Sequence, residues 1–557
     1  MVSASLLSLN DDVLFEIFSL LDRNEALAMS CTSKRAYRLA ISHVFTRLRW
    51  SRAMHGSTVP DPGDPSEARA LWDYMRAPEP LSQVPRVRHV HHFATVSNQQ
   101  ADAPLLLELL SHASNLRTIE LWNFHHFVDE DTEGLTRAIR AMPYLKQACL
   151  VFIASEMISI LPAMFSSSNI ASLMLEFADS ENKPDLTLEL SAFISVLVSI
   201  PSVETLTLIF DCVSVLSNTI GLPDANLPSI RHFSLVGTSA VAASVVPRCS
   251  NLRTLSLWLY DEQMFSFGAD DRWPAELKEL SIESQIIITE DTARRMGRVN
   301  YLSVGDAWSP LCSPGVLDFL PLLKATRPFA LKLQTDPVLA EPEHVWRSLC
   351  SAVPHLRSLE IIVDSCQVRD YVDSLLPALQ APSLLHLTLH FPPARHTWSA
   401  ENMAEVDTRR ATEVRRVEAL LPLPPRLVAA APSLRLLALR ACLPGSCNFD
   451  SPQARAERVP GLGAEFAAEL AREDEVERRW GPTSERVRPA LRRLRELRAE
   501  VPRDDRWWWV EGEGAARGPV EIWREDGERA RALIERADFD AARSLDGFYS
   551  AKCRYER

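Results

Sequence analysis

A spacing of apolar residues that recurs along the chain constrains the fold more than any other feature of this sequence. Eleven segments between residues 116 and 439 carry one apolar residue, a second three positions later and a third two positions after that. The first eight segments begin 22 to 33 positions apart, a period at which each repeat forms one small supersecondary unit. The segments are Leu116/Ile119/Leu121, Leu145/Ala148/Leu150, Ile170/Leu173/Leu175, Val203/Leu206/Leu208, Ile230/Phe233/Leu235, Leu252/Leu255/Leu257, Leu277/Leu280/Ile282, Val299/Leu302/Val304, Leu356/Leu359/Ile361, Leu384/Leu387/Leu389 and Leu434/Leu437/Leu439.

Prolines and alternating polarity mark where each unit changes from helix to strand. Pro143, Pro201 and Pro354 each stand two residues before the first apolar residue of a segment. Proline ends a helix and favours extended backbone beside it. The alternation that follows, as in residues 252–257, places every second side chain on one side of a strand. Each unit is therefore predicted to supply one short strand.

The longer stretches between these strands are predicted to be helices. The clearest are residues 131–142, 189–199, 315–323 and 370–379, and a further unit is predicted at Phe329/Leu331/Leu333. One strand and one helix per unit, stacked along the chain, predict a curved solenoid of the mixed α/β class with a parallel sheet on its concave side. An ordinary α/β domain of alternating strands and helices stays open as the alternative.

The first 50 residues have a different pattern, which is typical of three short helices. Asn10 or Asp11 can cap the first helix, Asn24 the second and Ser33 the third. Three short helices in about 45 residues make a minimal core, of a size at which independent stability is marginal.

The first of these helices is apolar on more than one side. Its main stripe falls at positions i, i+3, i+4 and i+7 and consists of Leu14, Ile17, Phe18 and Leu21. Val13 and Phe15 add apolar side chains outside that stripe, so the helix has more apolar surface than so small a domain can cover. The pattern therefore predicts a protein partner for this region.

Residues 6–50 resemble an F-box without a gap. Two positions depart from the family: Asn10 stands where proline is common, and Ala36 stands where an aromatic residue is often found. Asn10 can still cap the helix, whereas Ala36 removes volume from the third helix. The repeats of residues 85–445 are similar to the leucine-rich-repeat arrays of F-box proteins of the fungal type. The residues that carry the F-box resemblance are Leu9, Asp12, Val13, Leu14, Glu16, Ile17, Phe18, Leu21, Leu27, Lys34, Arg35, Tyr37, Arg38, Leu39 and Ala40.

The C-terminal part is rich in Arg, Glu and Ala. Residues 507–510 and 520–523 flank a Gly-rich turn and predict a hairpin, and residues 528–543 predict a last helix. This region is either a helical cap that shields the end of the solenoid or a binding element anchored by its tryptophans, and the sequence leaves both open. A further apolar helix stripe is formed by Leu491, Leu494, Leu497 and Val501.

The predicted organisation has four parts. Residues 1–50 form the F-box-like helical domain, and residues 51–84 form a linker with a short helix. Residues 85–445 form the irregular leucine-rich-repeat solenoid, and residues 446–557 form the charged helical and hairpin extension.

Composition limits the compartment and the classes of partner. The formal net charge of -13 argues against nucleic-acid binding and against a membrane surface, because both favour a basic field. The ten cysteines are scattered without a CxxC pair, which is typical of reduced thiols. No secretory signal is visible, so we expect a cytoplasmic or nuclear protein that is not secreted.

Catalytic and metal-binding patterns are missing from the sequence. No GxxxxGK[ST], GxGxxG, GxSxG or HExxH motif occurs. The histidines at 89, 91, 92, 125 and 126 lack further ligands at metal-binding spacing, so strand and loop roles are favoured for them. We expect no catalytic residue, no metal and no cofactor.

The resemblance implies the substrate-recognition subunit of an SCF-type cullin-RING E3 ubiquitin ligase. The F-box would bind a Skp-family adaptor, and through it a cullin, while the repeats would bind an unidentified protein substrate. The expected adaptor-binding residues are Leu9, Val13, Leu14, Ile17, Phe18, Leu21 and Leu27. The expected substrate-binding residues, between the apolar positions of the strands, are Arg117, Glu204, Arg253, Lys278, Arg357 and His386. The alternatives are a leucine-rich-repeat interaction scaffold outside ubiquitination and an enzyme hidden in the irregular repeats.

Overall fold

The computed structural model of the chain divides into two compact units, which are described separately: Met1–Leu252 and Arg253–Arg557. The F-box-like helices lie in the first unit and the C-terminal hairpin in the second. The residues that the structure describes are 9–21, 23–51, 65–80, 83–97, 100–166, 169–178, 187–211, 214–216, 226–259, 273–274, 277–282, 290–305, 319–335, 342–363, 368–380, 383–391, 418–440, 506–540, 543–545 and 547–550.

The first unit joins three N-terminal helices to a parallel sheet. Its strands lie in the order β1-β2-β3-β4-β5-β7-β9, all parallel, and β6 and β8 form a separate parallel pair. Its elements are α1 (Asp11–Ser19), α2 (Arg23–Ser30), α3 (Lys34–Phe45), β1 (Arg47–Ser51), α4 (Pro65–Arg76), β2 (His92–Ser97), α5 (Ala103–His112), β3 (Thr118–Leu121), α6 (Phe124–Arg140), β4 (Gln147–Val151), α7 (Leu161–Phe165), β5 (Ser172–Ala178), β6 (Thr187–Glu189), α8 (Leu190–Val198), β7 (Thr205–Asp211), β8 (Ser214–Leu216), β9 (His232–Gly237) and α9 (Ser239–Val245).

The second unit continues the same alternation and ends in a hairpin. Strands β10 to β16 are parallel and lie in chain order, and β17 and β18 follow as antiparallel neighbours. Its elements are β10 (Thr254–Leu259), β11 (Glu279–Ile282), α10 (Glu290–Met296), β12 (Tyr301–Val304), α11 (Leu320–Thr326), β13 (Ala330–Thr335), α12 (Pro342–Ala352), β14 (Ser358–Val363), α13 (Val368–Leu375), β15 (His386–His390), α14 (Leu423–Ala430), β16 (Leu436–Arg440), β17 (Arg506–Glu511), β18 (Gly518–Ile522) and α15 (Arg524–Ile534).

The residues of the recurring apolar spacing form the core beneath both sheets. Each of the 33 apolar residues, three in each of the eleven segments, is at most 5 % exposed. The second and third residue of every segment lie in a strand, two positions apart, and therefore point to the same side of the sheet. Leu331 and Leu333 of the further predicted unit are also buried, on β13. Apart from β6 and β8, each strand within a unit pairs with the one before it in chain order, without the reversal that marks a doubly wound sheet.

The sheet of the first unit begins directly after the third helix. β1 pairs with β2 in parallel, with Arg47 opposite His92. The Trp50 indole Nε1 donates a hydrogen bond to Asp102 Oδ2 at 3.5 Å. The sequence pattern did not reveal this strand, because the segment lacks the three-residue apolar signature of the repeats. As a result, the helical domain and the sheet share a continuous backbone.

The C-terminal hairpin is present, and its tryptophans are buried. β17 pairs with β16 and with β18, and Trp507, Trp508 and Trp509 are all less than a tenth exposed. The last helix spans Arg524–Ile534 rather than the predicted residues 528–543. The predicted stripe of Leu491, Leu494, Leu497 and Val501 lies outside the described residues. Among the residues described, no helix is long and apolar enough to cross a membrane.

Arg517 attaches this hairpin to the preceding helix. Its guanidinium donates hydrogen bonds to the carbonyl oxygens of Val428 and Ala431 at 2.8 and 2.9 Å, and also to that of Leu434. These carbonyls lie at and just beyond the C-terminal end of α14, where the helix dipole favours a cation. The contact ties the chain on both sides of residues 441–505.

Candidate protein interaction surfaces

The inner side of α1 forms the core of the N-terminal helical domain. Leu14 and Phe18 are fully buried against Ala36 and Ala40 of α3. These two residues therefore offer no surface to a partner, which corrects their prediction as adaptor-binding residues. Ala36 is itself fully buried in this contact, so the small residue accommodates the large Phe18 ring.

Hydrogen bonds hold the start of α1 against α3. Asn10 caps α1, because its side-chain oxygen accepts a hydrogen bond from Asp12 N at 3.2 Å. Arg35 donates to Asp11 Oδ1 from Nε at 2.8 Å and from Nη2 at 2.6 Å, and it also donates to the Leu9 carbonyl. Ser33 caps α3 as predicted. The predicted cap Asn24 is wrong, since α2 begins at Arg23 and Asn24 lies inside it.

The outer side of α1 is an exposed apolar stripe. It consists of Val13 and Ile17, which share one face of the helix, with Leu9 just before the N-cap and Leu20 at the C-cap. Val13 is 46 % exposed and Leu20 is 85 % exposed, while Ile17 is half-buried. We call these four residues the outer stripe. An apolar row of this kind on a small domain is typical of a protein-binding surface.

Three further apolar residues of the domain lie outside the outer stripe. Leu27 of α2 is about half exposed, whereas Leu21 is half-buried between the two small clusters of the domain. Phe15 is also about half exposed, and its ring lies 5.1 Å from that of His43. Phe15 and Leu20 were not among the predicted site residues. The sequence nevertheless indicated them, because both stand outside the main apolar stripe. When Leu14 and Phe18 point into the core, residues outside that stripe point away from it.

A buried polar cluster fixes the helical domain to the first unit's sheet. Glu79 is fully buried and accepts a hydrogen bond from the Tyr37 hydroxyl of α3; burial, together with this bond, raises the pKa of Tyr37. Arg86 donates to the carbonyls of Tyr74 and Ala77 at 3.0 and 3.2 Å, and its guanidinium lies 4.2 Å from the Tyr74 ring centre. These contacts hold α3 and α4 against the segment that leads into β2.

The strands of the first unit expose every second side chain. Five residues at matching register positions are half-buried and form what we call the middle column of this unit: Glu120, Cys149, Met174, Thr207 and Ser234. Trp122, just beyond β3, extends this surface, and its Nε1 donates a hydrogen bond to Glu120 Oε1 at 2.6 Å. Burial raises the pKa of the Cys149 thiol to about 12, with Glu120 and Glu176 adding to the shift. This thiol is therefore not a nucleophile at neutral pH.

Five of the six predicted substrate-binding residues lie immediately before a strand rather than within it. Arg117 precedes β3, Glu204 precedes β7, and Arg253, Lys278 and Arg357 precede β10, β11 and β14. The first four are exposed. The backbone carbonyl at each of these positions accepts hydrogen bonds from two successive amides at the start of the neighbouring strand. Arg117 O, for example, accepts from Lys146 N and Gln147 N at 2.8 and 3.1 Å. Within each of the two units, these residues therefore line the edge of the sheet at which the strands begin.

The C-terminal segment covers part of the matching strand face of the second unit. The middle column there consists of Ser256, Ser281, Ser303, Lys332, Glu360, Thr388 and Ala438, and its last three residues, on β14 to β16, are buried in the covered part. Trp507, Ala530 and Ile534 pack against Ala438 and Leu436 in one apolar cluster. β14 and β15 are consequently buried along their whole length.

Two predicted substrate-binding residues contact the C-terminal segment instead of being accessible to a partner. His386 is fully buried, stacks on the Trp507 ring, and is hydrogen-bonded through Nδ1 to Ser358 and through Nε2 to Thr388, both at 2.8 Å. Arg357 donates to the carbonyls of Phe539 and Arg536 at 3.2 and 2.9 Å. Arg357 and His386 therefore contact their own chain, and the prediction that they contact a substrate is corrected.

Ion pairs hold helix α15 against strand β14. Arg531 Nη2 lies 2.8 Å from Glu360 Oε2, and the Glu360 side chain is only 6 % exposed. Arg531 Nε also lies 2.8 Å from Glu535 Oε1, which accepts a hydrogen bond from Ser358 Oγ at 2.7 Å. Arg440 lies 3.8 Å from the same Glu360. The buried carboxylate is thus balanced by two guanidinium groups.

This arrangement does not form a catalytic triad. In a triad the acid orients the histidine, whereas here Glu535 binds Ser358, and His386 is fully buried beneath Trp507. Burial holds the pKa of His386 well below its usual range, and Arg531 adds to the effect, so the ring is neutral. Within the described part of the chain, no group of three or more His, Cys, Asp or Glu could hold a metal ion.

Comparison with known proteins supports the interpretation of the helical domain. The F-box domain family matches residues 6–48. This range contains α1, α2 and α3, so the outer stripe belongs to an F-box domain, as the sequence resemblance predicted. No curated protein matches the chain. Among solved structures, the leucine-rich repeat-containing protein LegL7 from Legionella pneumophila is similar at 14 % identity and a TM-score of 0.30, over 74 % of this chain and all of that one. A likeness of this degree does not identify a function.

Proposed function

We propose that the chain is the substrate-recognition subunit of an SCF-type cullin-RING E3 ubiquitin ligase. The F-box domain binds a Skp-family adaptor, which joins it to a cullin, and the repeats bind a protein substrate. The observation that carries the proposal is the exposed outer stripe on the domain that the F-box family matches. Such an assembly would work in the cytoplasm or the nucleus, where these partners are expected.

On this proposal the adaptor contacts the outer stripe and Leu27. Leu9, Val13, Leu20 and Leu27 are exposed, and Ile17 is half-buried between them. Together they supply the apolar centre that a stable protein interface needs. Leu21 contributes from its half-buried position, whereas Leu14 and Phe18 stabilise the domain from inside.

The substrate is received, on this proposal, by the first unit. We infer that each unit is a leucine-rich-repeat-like solenoid, and strands in chain order with buried apolar triplets support this inference. The half-buried middle column of the first unit leaves side chains available to a partner. In the second unit, the C-terminal segment acts as a cap that covers the corresponding positions of β14 to β16.

The mechanism would be tethering rather than catalysis. A receptor of this kind holds a substrate at high local concentration next to a ubiquitin-charged enzyme carried elsewhere in the complex. The junction of Tyr37, Glu79 and Arg86 supports this role, because it fixes the adaptor-binding helix relative to the strands of the first unit.

Co-purification with a Skp-family adaptor tests the proposal. Val13→Asp places a charge in the centre of the outer stripe, and burying an unpaired charge in an interface costs several kcal/mol. Val198→Asp is the matched control, because Val198 is 41 % exposed on α8, away from the F-box domain. We expect wild type and Val198→Asp to retain the adaptor and Val13→Asp to lose it.

The other outcomes favour the scaffold alternative. A wild-type chain that fails to bind the adaptor would leave only an interaction scaffold outside ubiquitination. Equal binding by both aspartate variants would show that the outer stripe is not the interface. Circular dichroism of each variant separates loss of binding from loss of folding.

A further inference from the structure

Basic residues lie at the start of β1 and β2 and immediately before β3 and β4 of the first unit. Arg47 lies opposite His92 in the register of β1 and β2, and His91 O accepts hydrogen bonds from Arg117 N and Thr118 N at 2.8 and 3.0 Å. Arg117 O in turn accepts from Lys146 N at 2.8 Å. We call Arg47, His91, His92, Arg117 and Lys146 the basic edge. Because neighbouring strands are about 4.8 Å apart, it spans roughly 15 Å.

The cations of the basic edge are exposed and are not balanced by acids. Arg47, Arg117 and Lys146 are exposed, and no ion pair joins any of them to a carboxylate within the described part of the chain. Glu120, the nearest acid along β3, is engaged by Trp122. The whole chain carries a formal net charge of -13, so the basic edge is a positively charged patch on a negatively charged protein.

The histidines of the edge respond to the positive field around them. Burial lowers the pKa of His91, and Arg117, His92, His89 and His43 lower it further. Burial likewise lowers the pKa of His92, with Arg47 and Arg117 adding to the shift. Cations repel the protonated ring at these positions, and the same field attracts an anion.

The edge has defined ends. The residue that follows Lys146 in the same row is Ala171, before β5, and the next is Glu204, before β7. The row thus changes from basic to neutral to acidic within two strands. A segment that follows it would place its negative charges over β1 to β4 alone, a length of about five extended residues.

We propose that the basic edge docks an acidic segment, rich in Asp and Glu, of a protein partner. This inference rests on the proposed function, in which the first unit receives a protein substrate, and it names a chemical feature of that substrate. Charge complementarity of this kind selects a partner and accelerates association, with a strong dependence on salt.

Binding of a fluorescent hexaglutamate peptide to the full chain tests the proposal. The variant Arg117→Gln/Lys146→Gln removes two charges of the edge. The control Arg137→Gln/Arg140→Gln removes two exposed charges of α6, in the same unit but outside the basic edge. We expect fluorescence anisotropy to show about a tenfold loss of affinity for the edge variant and no change for the control. Wild-type affinity should fall as salt rises from about 50 to 200 mM.

Several results would overturn the proposal. These are absence of wild-type binding at low salt, equal affinity of the two double variants, or a single-stranded RNA of equal charge that competes better than the peptide. Adaptor co-purification separates this test from that of the proposed function. The edge variant should retain the adaptor, and Val13→Asp should retain the peptide. Loss of the adaptor by the edge variant, with peptide binding intact, would assign the edge to the adaptor and refute a substrate role.

Discussion

The same face of the parallel strands meets different surroundings in the two units. In the first unit, the middle column from Glu120 to Ser234 is half-buried, and buried residues alternate with exposed or half-buried ones along β9. In the second, Glu360, Thr388 and Ala438 occupy equivalent register positions and are buried beneath α15 and Trp507. Equivalent strand positions therefore remain partly accessible in one place and become core in the other.

The difference teaches that a repeat strand does not by itself define a binding face. The deciding element is the segment that lies upon it. In the second unit that segment is held by the Arg531–Glu360 ion pair, by the Trp507–His386 stack and by an apolar cluster. We call the middle column of β14 to β16 the covered face and that of the first unit the open face. We therefore expect substitutions in the covered face to lower the stability, and matched substitutions in the open face to have little effect on it.

The largest contrast is expected for two arginines. Arg531→Met removes the nearer of the two arginines that pair with the buried Glu360, and breaking such a pair costs about 3 to 5 kcal/mol. Arg137→Met removes the partner of Glu133 on α6, where both side chains are exposed, so a loss below about 0.5 kcal/mol is expected. Urea unfolding of both variants checks the contrast. Similar midpoints for the two would mean that α15 is not locked onto β14.

A second contrast uses two glycines of the C-terminal segment. An added Cβ at Gly527 would lie 2.4 Å from Trp507 Cε3, whereas one at Gly518 would meet nothing within 4 Å. We expect Gly527→Ala to destabilise the second unit by up to about 3 kcal/mol, because the helix must move away from the ring. Gly518→Ala should be close to neutral. If thermal unfolding shows the two variants to be equal, the close approach of α15 to Trp507 is refuted.

A smaller contrast is expected for two threonines of the middle column. Thr388→Ala leaves His386 Nε2 without its hydrogen-bond partner inside the protein, at a cost of about 1 to 2 kcal/mol. Thr207→Ala changes a half-buried residue of the open face and should stay within about 0.5 kcal/mol. Denaturant midpoints measure both. A loss in Thr207→Ala as large as that in Thr388→Ala would remove the distinction between the faces.

The smallest effect concerns pH. Burial holds the pKa of folded His386 well below the 6.5 of an exposed histidine, so the unfolded chain binds more protons than the folded chain at mildly acidic pH. By linkage, this residue lowers the stability of the second unit as the pH falls below about 6.5, by about 1 kcal/mol at pH 5.5. Comparing wild type with His386→Gln at pH 7.5 and 5.5 isolates the contribution. An identical pH dependence in both would contradict a neutral, buried His386.

Local pattern was sufficient to predict the strands that carry the apolar triplets, and their buried side. Each apolar triplet packs against the triplets of neighbouring strands, so all of the triplet residues are buried in the core. The cover over β14 to β16 was not predictable, because Glu360 meets Arg531 from a segment far along the chain and no periodicity links the two. His386 and Arg357 were misjudged for this reason.

The F-box helix shows the same limit at a smaller scale. Its apolar residues lie on nearly every side, so the spacing of Leu14, Ile17, Phe18 and Leu21 did not reveal which of them turn inward. Contact with Ala36 and Ala40 of α3 decided that Leu14 and Phe18 are core. The remaining apolar residues, Val13 and Leu20 above all, then became the exposed surface.

Cysteine labelling would test the contrast between the two faces most directly. Thr207→Cys and Thr388→Cys place thiols at equivalent positions of the middle column, and peptide mass spectrometry can follow their alkylation apart from that of the native cysteines. We expect the thiol at 207 to react readily and the thiol at 388 to react more than about a hundredfold more slowly, since it becomes accessible only through local opening. Comparable rates in the folded protein would show that the C-terminal segment does not cover the second unit's strands, and the assignment of the open face to the first unit would fail.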